Sequence, residues 1–218
     1  MMELLTIGHS NHTIESFLDL LQKYEVTALT DVRSHPYSRY LPQFNQRDLK
    51  ASLRARGIEY VFLGKELGAR TDDLSCYVEG KAVYEKIAAT EAFQEGIQRV
   101  LKGTQKYKIA LMCAEQDPLT CHRSILVCQH LRQFDLNISH ILKNGDLESH
   151  QKLEDRMLAK NGFTEVSHSQ KLQQLSLFSD PEPEPILSRD EYLSKAYQLQ
   201  GDKIAYVEKE TRDREPVR

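Results

Sequence analysis

The chain has 218 residues, a hydrophobic content of 40% and a formal net charge of −3 at pH 7. This length suits one medium domain plus an appendage, and the near-neutral charge excludes a polybasic tail of the kind that binds nucleic acid. No apolar stretch approaches the ~20 residues of a transmembrane helix, and the first residues lack a secretory signal, so we expect a cytoplasmic protein with no membrane partner. The cysteines form no CxxC pair, which favours reduced thiols.

Apolar and amphipathic segments alternate along the first 163 residues. Short apolar runs predict strands at 4–7, 26–32, 58–63, 107–112 and 136–142. A first helix is predicted after a cap at Thr13 or Asn11. Further helices are predicted after Asn45, over about 83–101, after Cys121 and over about 147–159, with a polar loop at 64–70. This alternation is typical of right-handed βαβ units. It predicts an α/β fold of three layers, Rossmann-like, with a mainly parallel sheet of about five strands flanked by helices.

The composition changes after about Phe163, where Ser, Gln, Pro and Glu become dominant up to Pro185. We therefore predict an α/β catalytic or binding domain over 1–163 and a polar linker over 164–187. Residues 188–218 form a tail that is expected to be poorly structured. A short helix near 190–198 is compatible with its sequence, but we expect the tail to bury no core.

Polar side chains follow each predicted strand at its carboxyl end. Because parallel strands place these ends at one edge of the sheet, and α/β proteins bind ligands there, the clustering itself indicates a site. The candidates at this edge are His9, Ser10, Asn11, Asp31, Arg33, Lys65, Glu115, Cys121, His122 and Arg123. Arg33 and Arg123 suit phosphate or carboxylate, and His9–Asn11 and Lys65 suit substrate contacts.

The segment 111–123 places a thiol, an acid, an imidazole and a guanidinium around one strand–loop–helix corner. Cys121 can act as a nucleophile at a helix start, although the acids around it disfavour a thiolate and a structural cysteine is the alternative. A zinc site formed by Cys113, Cys121 and His122 is conceivable, but its spacing matches no common zinc pattern. No cofactor is therefore predicted, with a divalent metal as an option.

Asp31 and Glu115 end two strands that can be neighbours, so this carboxylate pair can divide acid and base roles. Such pairs cleave sugar C–N or C–O bonds through an oxocarbenium-like state. The alternative is neutralisation of both acids by Arg33 and Arg123. His122 is a candidate acid or base near neutral pH, or a histidine satisfied at the helix start. The catalytic candidates are therefore Asp31, Glu115, His122 and Cys121.

The segment between His35 and Asn45 carries two prolines and three aromatic residues, which predicts a surface loop. Tyr37, Tyr40 and Phe44 are interleaved with Arg39, and this pattern suits base stacking and phosphate contact. It equally suits a loop that folds its rings onto the domain.

These segments together resemble the bacterial and archaeal family known as domain of unknown function 488. The matching pieces are Thr6–Ser10, Asp31–Arg33 with Pro36 and Ser38-Arg39, Phe44-Asn45, Leu63-Gly64 with Leu67-Gly68, Cys113–Glu115 with Cys121–Arg123, and His140-Ile141 with Gly145. The family often has two glycines where this chain has Gly68-Ala69. The side chain of Ala69 affects only how closely a ligand can approach that turn. The resemblance implies a fold and a site, but no reaction.

A second resemblance lies in the polar linker. Gln174, Leu175, Ser176, Leu177 and Phe178 are similar to the pentapeptide by which bacterial replication and repair proteins bind the sliding clamp. The likeness implies that Leu177 and Phe178 enter an apolar pocket, with Gln174 bonded at its edge. The alternative is an amphipathic segment packed on the domain.

These observations favour a DNA- or nucleotide-directed hydrolase, more specifically a glycosylase-like repair enzyme recruited by the sliding clamp. Two alternatives stay open. One is a thiol-dependent enzyme, sulfurtransferase-like or phosphatase-like, that uses Cys121. The other is a non-catalytic module that binds nucleic acid.

Overall fold

The computed structural model describes residues 2–163 and 187–208, and its centre is a six-stranded sheet. A separate two-stranded hairpin lies beside it. The strands are β1 Met2–Gly8, β2 Ala28–Asp31, β3 Glu59–Phe62, β4 Tyr77–Val78, β5 Lys81–Ala82, β6 Ile109–Cys113, β7 Leu136–Ile141 and β8 Leu147–Ser149.

Helices connect and cover these strands. They are α1 Ile14–Lys23, α2 Gln46–Ala55, α3 Gly64–Leu67, α4 Tyr84–Ala88, α5 Glu91–Thr104, α6 Gln129–Leu131, α7 His150–Lys160 and α8 Arg189–Ile204. A π-helical turn over Arg123–Cys128 leads directly into α6. Thr13 caps α1, as predicted, by accepting a hydrogen bond from the Ser16 N–H. None of the described helices is long and apolar enough to cross a bilayer.

The strand order of the large sheet is β3-β2-β6-β1-β7-β8. All pairings are parallel except that of β8, which runs antiparallel to β7 at the edge. The predicted α/β class with a mainly parallel sheet is therefore confirmed. Because β6 lies between β1 and β2, the ends of three strands at Gly8, Asp31 and Cys113 become neighbours.

Two hydrophobic layers sandwich the sheet, since alternate side chains of each strand point to opposite faces. Leu5 and Ile7 of β1 pack with α1 and α2, whereas Leu4 packs on the other face with the remaining larger helices. The interior strand β6 is buried at every position and feeds both layers, as expected of a parallel strand covered on both sides.

Three local predictions differ from the structure. Residues 147–149 form strand β8, not the start of a helix, because the Asn144-Gly145 turn returns the chain beside β7. The predicted helix over 83–101 is two helices, since Thr90 accepts a hydrogen bond from the Phe93 N–H and starts α5 afresh. The predicted polar loop at 64–70 begins with the short helix α3.

Helix α8 is longer than the short helix expected near 190–198. Its capping box joins Ser188 and Glu191. Leu193, Ala196 and Tyr197 are buried in the main core, contrary to the expectation that the tail buries none. Their spacing places them on one face of the helix, which suffices for docking although the composition is polar.

Candidate functional site

The carboxyl ends of β1 and β6 lie against each other and build one corner of the site. The N–H groups of His9 and Ser10 donate to the carbonyls of Cys113 and Ala114, each at 2.9 Å. A Cβ at Gly8 would lie 1.9 Å from the carbonyl oxygen of the Glu115 residue, so only glycine permits this approach. The loop after β6 is thereby held beside the loop after β1.

Cys113, Glu115, Cys121 and His122 form what we call the Cys–Glu–His cluster. Their sulfur, carboxylate and imidazole atoms all lie within 4.8 Å of one another. Both thiols donate to the same Glu115 oxygen, Oε2, each at 3.0 Å, and Cys113 Sγ is 3.6 Å from His122 Nδ1. Three members are buried, whereas Glu115 is exposed to solvent.

A tight return of the chain brings the two halves of the cluster together. The Asp117 carboxylate accepts a hydrogen bond from the Leu119 N–H at 3.0 Å and caps the single 3-10 turn Pro118–Thr120. This turn reverses the chain after β6, so that Cys121 comes back over the end of the strand. His122 then reaches across to β2 and donates from Nε2 to the Val32 carbonyl at 2.9 Å.

Burial and close packing shift the pKa values in the cluster. The Glu115 carboxylate lies against two buried thiols, and this local desolvation raises its pKa although the residue as a whole is exposed; the adjacent Cys121 raises it further. The pKa of Cys113 is also raised, chiefly by desolvation. Burial alone would raise the pKa of Cys121, but hydrogen bonding from Cys113 and the charge of Arg123 lower it below its usual value. Cys121 is therefore the more acidic thiol.

Arg123 braces this corner from the inside. Its guanidinium donates to the Glu115 carbonyl at 2.7 Å, to the Gln116 carbonyl at 3.3 Å and to the Thr6 hydroxyl at 3.3 Å. The residue is fully buried. In this arrangement Arg123 holds the loop that carries Glu115. Its position in the sequence suggested that it binds a substrate anion, but the buried guanidinium does not face one.

Both carboxylate oxygens of Asp31, at the end of β2, accept hydrogen bonds from neighbouring side chains. Arg33 donates to Oδ1 at 2.9 Å and to Oδ2 at 2.7 Å, and the Tyr60 hydroxyl donates to Oδ2 at 2.8 Å. Arg33 also donates to the Phe44 carbonyl at 2.8 Å and contacts His9 Nε2 at 3.2 Å. Asp31 and Arg33 are both buried, so this ion pair neutralises Asp31, the alternative that the sequence left open.

His9 and Phe44 stack with ring centroids 4.5 Å apart. Burial, followed by the charge of Arg33, lowers the pKa of His9 to about 4, so the ring is neutral at pH 7 and accepts the Arg33 hydrogen bond. Phe44 is fully buried. The suggestion that Phe44 stacks on a nucleobase is therefore wrong, because its faces are used inside the domain.

The loop that carries Tyr37, Arg39 and Tyr40 is exposed and fixed to the same edge of the sheet. Tyr37 is 69% and Tyr40 94% exposed, and Arg39 is exposed as well. Phe44 anchors the end of this loop under His9. Large exposed rings without a hydrophobic role in the core suit ligand contact.

Other predicted substrate contacts lie around this corner. Ser10 has a positive φ of 44°, and its hydroxyl lies 3.5 Å from the Gln116 side chain. Asn11 and Lys65 are exposed. Gln116 also borders an open cleft of about 650 Å³ next to the cluster. The cleft is lined by Gln116, Asp117, Pro118, Leu142, Lys143, Asn144, Glu148 and Arg156.

A buried hydrogen-bond chain, here called the histidine relay, was missed by sequence reasoning. It joins Thr6 to His140 at 2.8 Å, His140 to His150 at 3.0 Å, His150 to Tyr197 at 2.8 Å and Tyr197 to Glu154 at 2.9 Å. A histidine inside the apolar strand β7 was its visible signal. Its partners come from separate elements, so no spacing in the sequence joins them.

The predicted partner-binding residues Gln174, Leu175, Leu177 and Phe178 lie outside the residues that the structure describes.

Comparison with known proteins gives one match. No curated protein and no solved structure matches the chain. The profile of one family, described as "Domain of unknown function DUF488", matches residues 13–129. This match spans more than half of the chain and includes Asp31, the Cys–Glu–His cluster and Arg123. The protein therefore belongs to the DUF488 family.

Proposed function

We propose that this protein is a hydrolase that acts on nucleic acid or nucleotides and uses Glu115 to transfer a proton. The observation that carries the proposal is the setting of the Glu115 carboxylate. One of its oxygens is held at 3.0 Å by two buried thiols, while the side chain borders solvent at the ligand-binding edge of the sheet.

A carboxyl group held in this way can take a proton from water or give one to a leaving group. Asp31 is less suited to this task, since Arg33 and Tyr60 occupy its oxygens. Of the two carboxylates that could have shared the acid and base roles, only Glu115 is therefore proposed to transfer a proton. Cleavage of a sugar–base bond is the specific reaction that we favour, because it needs this group and a bound water.

The substrate class is inferred from the exposed loop. Tyr37 and Tyr40 offer flat apolar surfaces for a base, and Arg39 between them offers a cation for phosphate. Lys65, in the short helix α3 that follows β3, offers a second cation. An extruded base stacked on this loop would lie at the same edge of the sheet as Glu115.

A screen of modified and damaged oligonucleotides and nucleotides tests the proposal. The wild-type protein should release a base or cleave the strand of at least one substrate, and Glu115→Gln should slow this about 10²–10⁴-fold, the usual contribution of a proton-transfer group. Glu85→Gln, at an exposed glutamate of α4, is the matched control and should retain the rate. Absence of both base release and strand scission for all substrates, together with unchanged function of Glu115→Gln in cells, contradicts the proposal.

Recruitment by the bacterial sliding clamp is a second part of the proposal, and its support is the sequence of residues 174–178. Phe178→Ala should abolish binding of the full chain to purified clamp, because this ring would fill the apolar pocket. Ser176→Ala, within the same pentapeptide, should bind normally. Equal binding by both variants would contradict a role of this peptide.

The thiol alternative has less support, since Cys121 is fully buried and its sulfur contacts Glu115 and the Arg123 backbone N–H. A non-catalytic binding module predicts a different outcome. In that case Glu115→Gln would retain function in cells, whereas Phe178→Ala would lose it.

A further inference from the structure

We infer that Cys113, Cys121 and His122 bind one zinc ion, with Glu115 next to an open fourth position. The inference deepens the proposed function by naming a cofactor for the same site. Only the use of the ion in hydrolysis rests on the proposed function, since binding can be measured without a substrate.

The donor atoms suit zinc in type. Two sulfurs and one imidazole nitrogen form a soft ligand set that favours tetrahedral zinc over magnesium or calcium. The atoms are already gathered, since all lie within 4.8 Å of one another together with the Glu115 carboxylate. The sequence named these three residues as a conceivable zinc site, but the capped turn between Cys113 and Cys121 gives a spacing that matches no common zinc pattern.

One distance between donors agrees with a shared ion. Sulfur and nitrogen ligands at about 2.3 Å and 2.05 Å from a tetrahedral zinc lie about 3.6 Å apart. The Cys113 sulfur and His122 Nδ1 are separated by 3.6 Å. Little movement of these two side chains is therefore needed to admit the ion.

The contacts behind the donors are those of metal ligands. His122 donates from Nε2 to the Val32 carbonyl, and in the neutral imidazole this leaves the lone pair of Nδ1 directed towards the cluster. The backbone N–H of Arg123 donates to the Cys121 sulfur at 3.4 Å, a contact that stabilises a thiolate. Orientation of the imidazole through its second nitrogen is the usual arrangement for a metal-bound histidine.

Zinc can enter without a change in buried charge. Each of Cys113 and Cys121 loses one proton to solvent on binding, so two positive charges leave and Zn²⁺ brings two. Among the described residues Arg123 forms no ion pair, and its contacts are with two carbonyls and a hydroxyl.

The inferred site places Glu115 beside the ion rather than on it. Its Oε2 is 3.0 Å from both sulfurs, whereas two ligands of one zinc at about 2.3 Å and 2.1 Å lie about 3.6 Å apart. The carboxylate therefore moves outward when zinc binds, which its exposed side chain allows. A water in the open position would then give its proton to Glu115, which passes this proton to the leaving group.

This donor set also fits the inferred substrate. One histidine and two cysteines, with a glutamate that handles protons outside the coordination shell, are the donor set of zinc enzymes that deaminate nucleobases with water. In the proposed cleavage of the sugar–base bond, the water oxygen would form the new bond to the sugar carbon, and the leaving base nitrogen would take the electron pair of the broken bond and the proton held by Glu115.

Metal content of the full-length protein tests the inference directly. After loading with Zn²⁺ under reducing conditions and removal of free ion, we expect one zinc per chain. Cys121→Ser and His122→Asn should each weaken zinc binding at least about 100-fold. Loss of a residue that only hydrogen-bonds to a metal ligand already costs up to about 100-fold in metal affinity. Cys76→Ala, at a buried cysteine outside the cluster, should keep the ion, and so should Glu115→Gln. Circular dichroism checks that each variant is folded.

Cobalt substitution of the wild-type protein keeps the test decisive if the cysteine variants do not fold. Tetrahedral Co²⁺ should show thiolate-to-cobalt charge transfer in the near ultraviolet, and Zn²⁺ should displace it.

Absence of this band, or substoichiometric zinc in the loaded wild-type protein, overturns the site. Loss of zinc in Glu115→Gln overturns the open position. Zinc binding without hydrolysis overturns only the proposed function, and hydrolysis by chelator-treated protein overturns only the role of the ion.

Discussion

At the scale of single residues, two acids that look equivalent in the sequence have opposite settings. Asp31 and Glu115 each follow an apolar strand, and β2 and β6 are neighbours, an arrangement that the sequence left open. Asp31 is nevertheless buried and bound to Arg33 and Tyr60, whereas Glu115 borders solvent beside two thiols. The first setting stabilises the fold, and the second is suited to chemistry.

Asp31→Asn should therefore act on stability. Removing one partner of a buried ion pair leaves the Arg33 charge uncompensated, and we expect a loss of about 3–5 kcal/mol in the free energy of unfolding by urea. Asp19→Asn breaks the exposed pair with Arg56 and is the matched control, with an expected loss of about 0–1 kcal/mol. Equal losses in the two variants would show that the Asp31 pair is not a structural anchor.

At the scale of elements, helix α8 contributes more than its composition suggests. Leu193 is 1% exposed and Leu199 is 44% exposed, although both lie on this helix. Gln200 of the same helix donates to the Leu119 carbonyl at 2.8 Å, in the turn that returns the chain to Cys121. Helix α8 thus supports the turn behind the Cys–Glu–His cluster.

Leu193→Ala tests this contribution of α8. Truncation of a fully buried leucine should cost about 2–5 kcal/mol in urea unfolding, because transfer free energy is lost and a cavity is left. The same change at Leu199, on the exposed side of the helix, should stay within about 0.5 kcal/mol of the wild type. A neutral Leu193→Ala would mean that α8 does not dock as described.

At the scale of the whole molecule, the histidine relay links elements from both ends of the chain. Tyr197 donates to the Glu154 carboxylate, so His150 must donate to Tyr197 and accept from His140. His140 in turn accepts from Thr6. Burial lowers the pKa of both histidines, and with neutral imidazoles every proton in the chain has one position.

This requirement predicts a dependence of stability on pH. Burial, followed by the charge of Arg132, lowers the pKa of His150 from 6.5 to about 4. The unfolded chain therefore binds more protons than the folded one between these values, and stability present above pH 6.5 is lost as the pH falls towards 4. The loss from this group amounts to about 2 kcal/mol at pH 5.

Urea unfolding at pH 7.5 and pH 5 measures this loss. His150→Gln can keep the hydrogen bonds but cannot titrate. Between pH 7.5 and pH 5 its free energy of unfolding should therefore fall by about 2 kcal/mol less than that of the wild type. His35→Gln, at an exposed histidine, should retain the dependence of the wild type. An unchanged dependence in His150→Gln would contradict a neutral, buried relay.

Much of the architecture was predictable because it depends on local patterns. Apolar runs of strand length and helix-capping residues led to the α/β class, and the polar residues after each strand were correctly grouped at the carboxyl ends of the parallel strands. The failures occurred where contact with another element decides the outcome. Strand β8 exists because β7 offers it an edge, and Phe44 is buried because His9 covers it.

The sequence by itself determined the kind of fold and the list of groups that lie at one edge of the sheet, since periodicity and turn chemistry are local properties. Only the tertiary structure decided which of these groups are free. Asp31 and Arg33 satisfy each other, Arg123 is enclosed, and Glu115 is left exposed beside Cys113, Cys121 and His122. The physical reason is that burial and hydrogen bonding depend on strand order, which brings β6 between β1 and β2 and is not encoded in any short segment.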